Sequence, residues 1–192
     1  MTVRTLKLAG LLAMASAFLT FPLVYLTFRL DGRIDSAAAV IQTIIQLAGT
    51  VLFVAIVLYL KRLLNSFFSF HSTDRNIELM IMASIVAGVL SVAALYFTSL
   101  KESLGSVVII ILVALGLVQV QFGYKLRRLP NNLGGLHKPF CYANMATGIL
   151  LASVVLIPLS ILASAISDLM LGTIFFHMSR LAREADLKKG KP

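Results

Sequence analysis

The stretch Tyr124 to Pro139, YKLRRLPNNLGGLHKP, decides the fold. It is a polar, basic interruption between two long apolar runs, carrying four Lys/Arg, two Pro and a Gly-Gly pair. Such a segment cannot lie in hydrocarbon and must sit in water on one side of a membrane. Because Lys and Arg near helix ends are retained on the cytoplasmic side, the loop also orients the rest of the chain.

The rest is mostly oil. Of 192 residues 59% are hydrophobic and 13% charged, with a mean hydropathy of +0.94, far from the roughly 45–50% apolar and 25% charged of soluble domains. Composition therefore predicts an all-α, polytopic integral membrane protein. The loops between apolar runs are short, which leaves no room for a soluble domain. A net charge of +9 would suggest nucleic acid in a soluble protein. Here the basic residues cluster at helix ends and in the tail, so the expected counter-charges are anionic lipid headgroups at the cytoplasmic face, with no nucleic-acid partner. Cys141 is the single cysteine, which excludes an intrachain disulfide and a cysteine-based metal cluster.

Outward from the basic loop, the apolar runs predict six crossings: residues 8–30, 37–60, 77–100, 104–122, 140–159 and 164–181, followed by a basic cytoplasmic tail over 182–192. Each run approaches the ~20 residues needed to cross the hydrocarbon core. The first follows Arg4 and Lys7 and could be a secretory signal with Ala15-Ser16-Ala17 as its cleavage site. The apolar run continues far past that site, so it is read as a retained helix. Ala9, Ala13 and Ala17 recur every four residues, as do Ala83, Ala87 and Ser91, giving small-residue faces that admit a close neighbour. Arg29 to Ser36 reads as a charged turn through Gly32. Asn65 to Asn76 reads as a loop on the membrane surface with Phe67, Phe68 and Phe70 in the headgroups. Asp74 or Asn76 is the expected cap of the third helix. Lys101-Glu102-Ser103 reads as a tight turn, and Pro139 as the first position of the fifth helix. The run Phe140 to Leu181 is too long for one crossing, and its turn is expected near Ser160 to Ser164, beside Pro158.

Six crossings imply a charge distribution that was not used to draw them. Fourteen Lys/Arg fall on the side of the Tyr124 loop and three on the other. This asymmetry places both termini in the cytoplasm, as three helical hairpins with N-in/C-in topology. Tyr59-Leu-Lys-Arg-Leu-Leu and Tyr124-Lys-Leu-Arg-Arg-Leu are alike, but cytoplasmic helix ends collect such residues without duplication.

The carboxy-terminal third, from YKLRRLP through LIPLS to SDLMLGTIFF, resembles small six-helix bacterial inner-membrane proteins of unknown function, in which a basic-Pro turn is followed by two apolar helices joined near a Pro and an acidic residue. The aromatic often found after the turn proline is here Asn131. The resemblance implies six helices and a bacterial inner membrane, and no activity.

No catalytic signature is present: no HExxH, no GxSxG, no phosphate-cradling Gly-rich loop and no Asp-rich metal motif. The chain is not read as an enzyme, and no cofactor or metal is expected. Polar side chains inside hydrocarbon are costly and mark candidate sites. Gln42 and Gln46 share one face of the second helix, and Asp168 is the one acidic residue inside an apolar run. All three are expected in the outer half, with Asp168 about one turn below the surface. They form a candidate ligand site; alternatively the amides join helices while Asp168 sits in the positive field of a helix start. On the cytoplasmic half Gln119, Asn144 and His177 fall near one level, with Gln121 turned about 200° from Gln119. His71, His137 and His177 read as interfacial anchors rather than a metal site. Two functions follow as expectations. One is a structural or accessory membrane protein that packs against itself or a membrane partner. The other is a carrier, or a lipid or small-molecule binder, with an outer-half polar site on helices 2 and 6.

Overall fold

In a computed structural model, which describes residues 1–30, 36–129 and 133–189, the long apolar runs are helices and no strand occurs among the described residues. The helices are α1 (Val3–Leu30), α2 (Ser36–Phe68), α3 (Asp74–Tyr96), α4 (Lys101–Leu126), α5 (His137–Ala152) and α6 (Ile157–Lys189). Five are long and apolar enough to cross a membrane. The exception, α5, has 16 residues, or about 24 Å at 1.5 Å per residue, against a hydrocarbon core of about 30 Å. Large apolar side chains such as Phe18, Phe28, Ile44, Val51, Met82 and Ile110 point outward and are exposed, as lipid-facing positions require.

The helices form a closed ring. Each packs on its neighbours in sequence, α1 closes on α6, and no other helix pair comes together among the described residues. Small residues set the closest approaches. A Cβ on Gly116 of α4 would come within 2.5 Å of the Gly148 carbonyl oxygen of α5, and the reverse holds for Gly148 and Gly116. Gly172 of α6 faces the Gly10 carbonyl oxygen of α1 in the same manner, at 3.2 Å. Ala9, Ala13, Ala17 and Ala87 are buried within the chain.

The apolar core fills one end of the ring, the end that carries both the start of α1 and the end of α6. Leu6, Leu63, Leu64, Leu126, Ile174 and Phe175 are almost wholly buried there. Polar contacts between helices collect at this end too. Lys61 Nζ pairs with Glu78 Oε1 at 2.7 Å, Lys125 Nζ donates to Asn76 Oδ1 at 2.7 Å, and His137 Nε2 donates to the Leu126 carbonyl at 2.9 Å. The Gly-Gly pair closes the basic loop onto α6: Gly134 has φ +70°, and a Cβ there would lie 2.7 Å from the His177 ring. Only glycine meets both demands.

Several expected boundaries move. Asn65 to Asn76 is not a surface loop, because α2 continues through Phe68 and only residues 69–73 leave the helices. Asn65 Nδ2 donates to both Asp74 carboxylate oxygens, at 3.1 and 3.2 Å. That bond holds the two helix ends together, and Phe68 and Phe70 pack on the core. Neither Asp74 nor Asn76 caps α3; the cap position is Thr73, without a side-chain bond, and buried Asn76 turns to α4 instead. α4 begins at Lys101, after a 3-10 turn at Thr98–Leu100, so 101–103 is helix rather than turn. α5 begins at His137, two residues ahead of Pro139. The expected tail boundary at 181/182 is interrupted by nothing: α6 runs to Lys189, with Met178 and Ser179 buried. The charged turn through Gly32 and Asp35 lies outside the described residues, as do Asn131 and residues 190–192.

The largest correction concerns α5 and α6. Their turn is at residues 153–156, not at Ser160 to Ser164. The turn is apolar, Ser-Val-Val-Leu, and its backbone is satisfied internally. Ser153 N–H donates to Ile149 O, Val154 N–H to Leu151 O, Val155 N–H to Ser153 O and Ile157 N–H to Val154 O, while Leu156 N–H donates to Ser153 Oγ at 3.3 Å. This is what irregular backbone in an apolar medium requires. Pro158 then falls in the first turn of α6, where its missing N–H is no loss. Because the Ser153 hydroxyl serves Leu156 N–H, Ser153→Ala is expected to destabilise by about 1 kcal/mol, the net worth of an ordinary hydrogen bond. Thermal unfolding in detergent measures this. Ser153→Thr should restore the wild-type value.

Candidate functional site

Several polar residues away from the terminal end of the ring line its interior. Three cavities follow one another within it. The first, about 340 Å³, is lined by α1 to α4, with Thr20, Thr27, Gln46, Thr50 and Ser84 among apolar residues. The second, about 290 Å³, adds α5 and α6 through Thr147, Leu151, Ser160, Ile161 and Ser164. Thr20, Val24 and Leu115 line both. The third is a niche of about 40 Å³ enclosing Gln119, Asn144, Ser164, Ser167 and Asp168. It shares Phe53, Gln119 and Ser164 with the second. Below it the apolar core closes the ring.

Ala152, the last residue of α5, lies against Gly116, and α4 extends 15 residues further to Lys101, about 22 Å at 1.5 Å per residue. On the other side, α6 rises 11 residues above Asp168, the partner of Ser16, to Ile157, about 16 Å, so it flanks α1 nearly to the end of that helix. The first cavity is lined by α1 to α4 alone.

The residues singled out from the sequence distribute over this interior. Gln46 lines the first cavity. Gln42, one turn nearer the start of α2, lines none of the three. Asp168 is in the niche, and its Oδ2 accepts from Ser16 Oγ at 2.9 Å. Ser16 lies 14 residues before the end of α1, so Asp168 sits about 21 Å below the end of that helix rather than one turn below a surface. With α6 starting at Ile157, Asp168 is three turns inside the helix, out of reach of the helix-start field that falls off within the first turn. Gln46 and Asp168 thus line the first and the third of these cavities and do not meet in a single pocket.

Gln119 and Asn144 come together in the niche with Asp168, whereas His177 lies apart from them, against Gly134. Asn144 Nδ2 donates to Phe140 O and to Ser167 Oγ, both at 3.0 Å. Gln121 faces the α3–α4 seam, where its Oε1 accepts from Asn76 at 3.4 Å. His71 pairs with Asp74 at 3.1 Å. No group of three His, Cys, Asp or Glu side chains among the described residues is arranged to hold a metal ion.

Ser164 and Ser167 line the niche and Ser16 bonds its carboxylate, three residues that the sequence reading does not assign to a ligand. A signal existed: Ser160, Ser164, Ser167 and Asp168 recur at helical spacing within one apolar run. With a turn placed among them they no longer share a face. A ring of six helices with a polar interior is the class of structure that results. No family model, curated protein or solved structure matches the chain.

Proposed function

We propose that the chain is a bacterial inner-membrane protein that takes up a small amphiphile, a lipid or a lipid-like solute, sideways from the bilayer into the interior of its helical ring. Both termini are cytoplasmic on this reading, as the fourteen-to-three distribution of Lys/Arg requires, and the three cavities open toward the outer leaflet. The observation that carries it is the first cavity, about 340 Å³ between α1 and α4, whose lining mixes apolar side chains with Thr20, Thr27, Gln46, Thr50 and Ser84. Cavities of this kind, apolar with a few polar groups that fix orientation, are those that bind small ligands. Apolar ligand atoms would lie against Leu23, Val24 and Leu112, and a polar head against Gln46, Thr50 and Ser84.

The structural or accessory reading draws less support. The small-residue faces that favoured a partner helix are consumed within the chain, at Ala9, Ala13, Ala17 and Ala87. Anionic headgroups remain the expected contacts of Arg180, Arg183 and the lysines that follow.

Two experiments test the proposal. In native membranes extracted gently and analysed by intact-complex mass spectrometry, a stoichiometric amphiphile is expected to stay bound and to be displaced by added lipid. Purification of a ligand-free protein whose melting temperature ignores lipid would count against it. For the orientation, single cysteines at Gly32, Leu133 and Gly190 in a Cys141→Ser background are exposed to an impermeant thiol reagent in intact cells. Labelling is expected at Gly32 alone; labelling at Gly190 without Gly32 reverses the topology.

A further inference from the structure

The niche at the foot of the cavities is chemically unlike the space above it. Its polar lining offers oxygen that nothing in the chain uses. Asp168 Oδ2 accepts from Ser16, but Oδ1 accepts no hydrogen bond among the described residues. Asn144 spends both of its bonds as a donor, leaving its amide oxygen free. The Gln119 amide and the Ser164 hydroxyl, which line the same space, hold no hydrogen bond among the described residues. Neither of the ion pairs among the described residues involves Asp168, so its charge meets no Lys or Arg. An unpaired carboxylate among Phe53, Phe122, Phe140 and Leu171 is a large cost unless something neutralises it.

We infer that this niche is a binding site for a monovalent alkali cation, with sodium as the natural occupant, held by Asp168 together with the oxygens of Gln119, Asn144 and Ser164. Size, charge and donor type agree. A space of about 40 Å³ exceeds the roughly 10–15 Å³ that one water needs, so the niche has room for a small ion with a water or two beside it. One carboxylate is neutralised by one positive charge; a divalent ion would leave a buried excess. Neutral carbonyl, hydroxyl and carboxylate oxygens are hard donors, suited to alkali and alkaline-earth ions rather than to transition metals. The ion reaches the niche from the cavity above, through the shared residues Phe53, Gln119 and Ser164. The apolar core beneath closes the other side. Occupied, the site would tie α1, α4, α5 and α6 together at one level, coupling the ion to the shape of the cavity above.

The inference needs the ring interior but not the amphiphile, and the two fail separately. Purified protein in neutral detergent at fixed pH is melted over a sodium chloride series, with N-methylglucamine chloride holding ionic strength constant. A saturating rise in melting temperature with sodium is expected. Asp168→Asn should abolish it while the protein still folds. Gln119→Leu should raise the half-saturating concentration about tenfold, equivalent to ~1.4 kcal/mol. If Asp168→Asn does not fold, the wild-type series and Gln119→Leu decide the matter alone. A wild-type melting temperature indifferent to sodium overturns the inference, as does an equal sodium response in Asp168→Asn. A response to pH without any response to sodium would assign the niche to a proton and overturn it as well.

Discussion

Gly116→Leu is expected to break the ring between α4 and α5, lowering stability by at least about 3 kcal/mol, at or beyond the upper end of ordinary overpacking. A Cβ on Gly116 would lie 2.5 Å from the Gly148 carbonyl oxygen and 2.9 Å from the Ala152 backbone nitrogen. Both neighbours are backbone, so no side chain can swing aside, and the helices must separate along their length. Gly123, seven residues on, keeps α4 close to Cys141 and Met145, so the displaced contact runs over two helical turns. In membranes, where lipid competes equally for apolar surface, close backbone packing of this kind is a main source of helix association. Gly105→Leu is the matched control. Nothing lies within 4 Å of a Cβ there, and replacing a helical glycine gains up to about 0.8–1 kcal/mol of helix propensity. Thermal unfolding of the two variants should therefore diverge in opposite directions. Equal behaviour would mean that the Gly116–Gly148 contact carries no weight.

Gly49→Phe is expected to leave the fold intact and abolish amphiphile binding. Gly49 lines the first cavity, and a Cβ there also meets nothing within 4 Å. A phenyl ring can thus occupy ligand space without displacing the chain. Because the variant removes a glycine from the interior of α2, helix stability should not fall. Melting temperature without added lipid should match wild type or exceed it, and the rise on adding lipid should disappear. The sodium response in the niche should persist, since Gly49 does not line it.

The parts legible in the sequence are those governed by transfer to lipid. Six apolar segments and the basic loop follow from composition alone, since a charged or glycine-rich stretch cannot stay in hydrocarbon. The turn between α5 and α6 was not legible, because it obeys the opposite rule. Ser153 to Leu156 is as apolar as the helices it joins, and its backbone is satisfied by local bonds that hydropathy does not register. Pro158 and the serines after it look like a break and are helix. That single displacement carried Asp168 from three turns inside α6 to its apparent start, and so toward Gln42 rather than Gln119 and Asn144. The Gly116–Gly148 contact had a signal in the seven-residue spacing of Gly116 and Gly123. Small-residue faces recurring every four residues do not capture it. The closure of α1 on α6 was half visible in Ala9, Ala13 and Ala17, which announce a close neighbour without saying which helix it is.

On this reading the cavity between α1 and α4 is open to lipid. A phospholipid carrying a photoreactive diazirine in its acyl chain, illuminated with the unaltered protein in membranes, tests this directly. Lipid adducts are expected on the cavity residues Leu23, Ile45 and Leu112 and not on Leu63 in the apolar core. Adducts confined to outward-facing residues such as Phe18 and Val51 would mean that the cavity is closed to the bilayer, and would contradict the account.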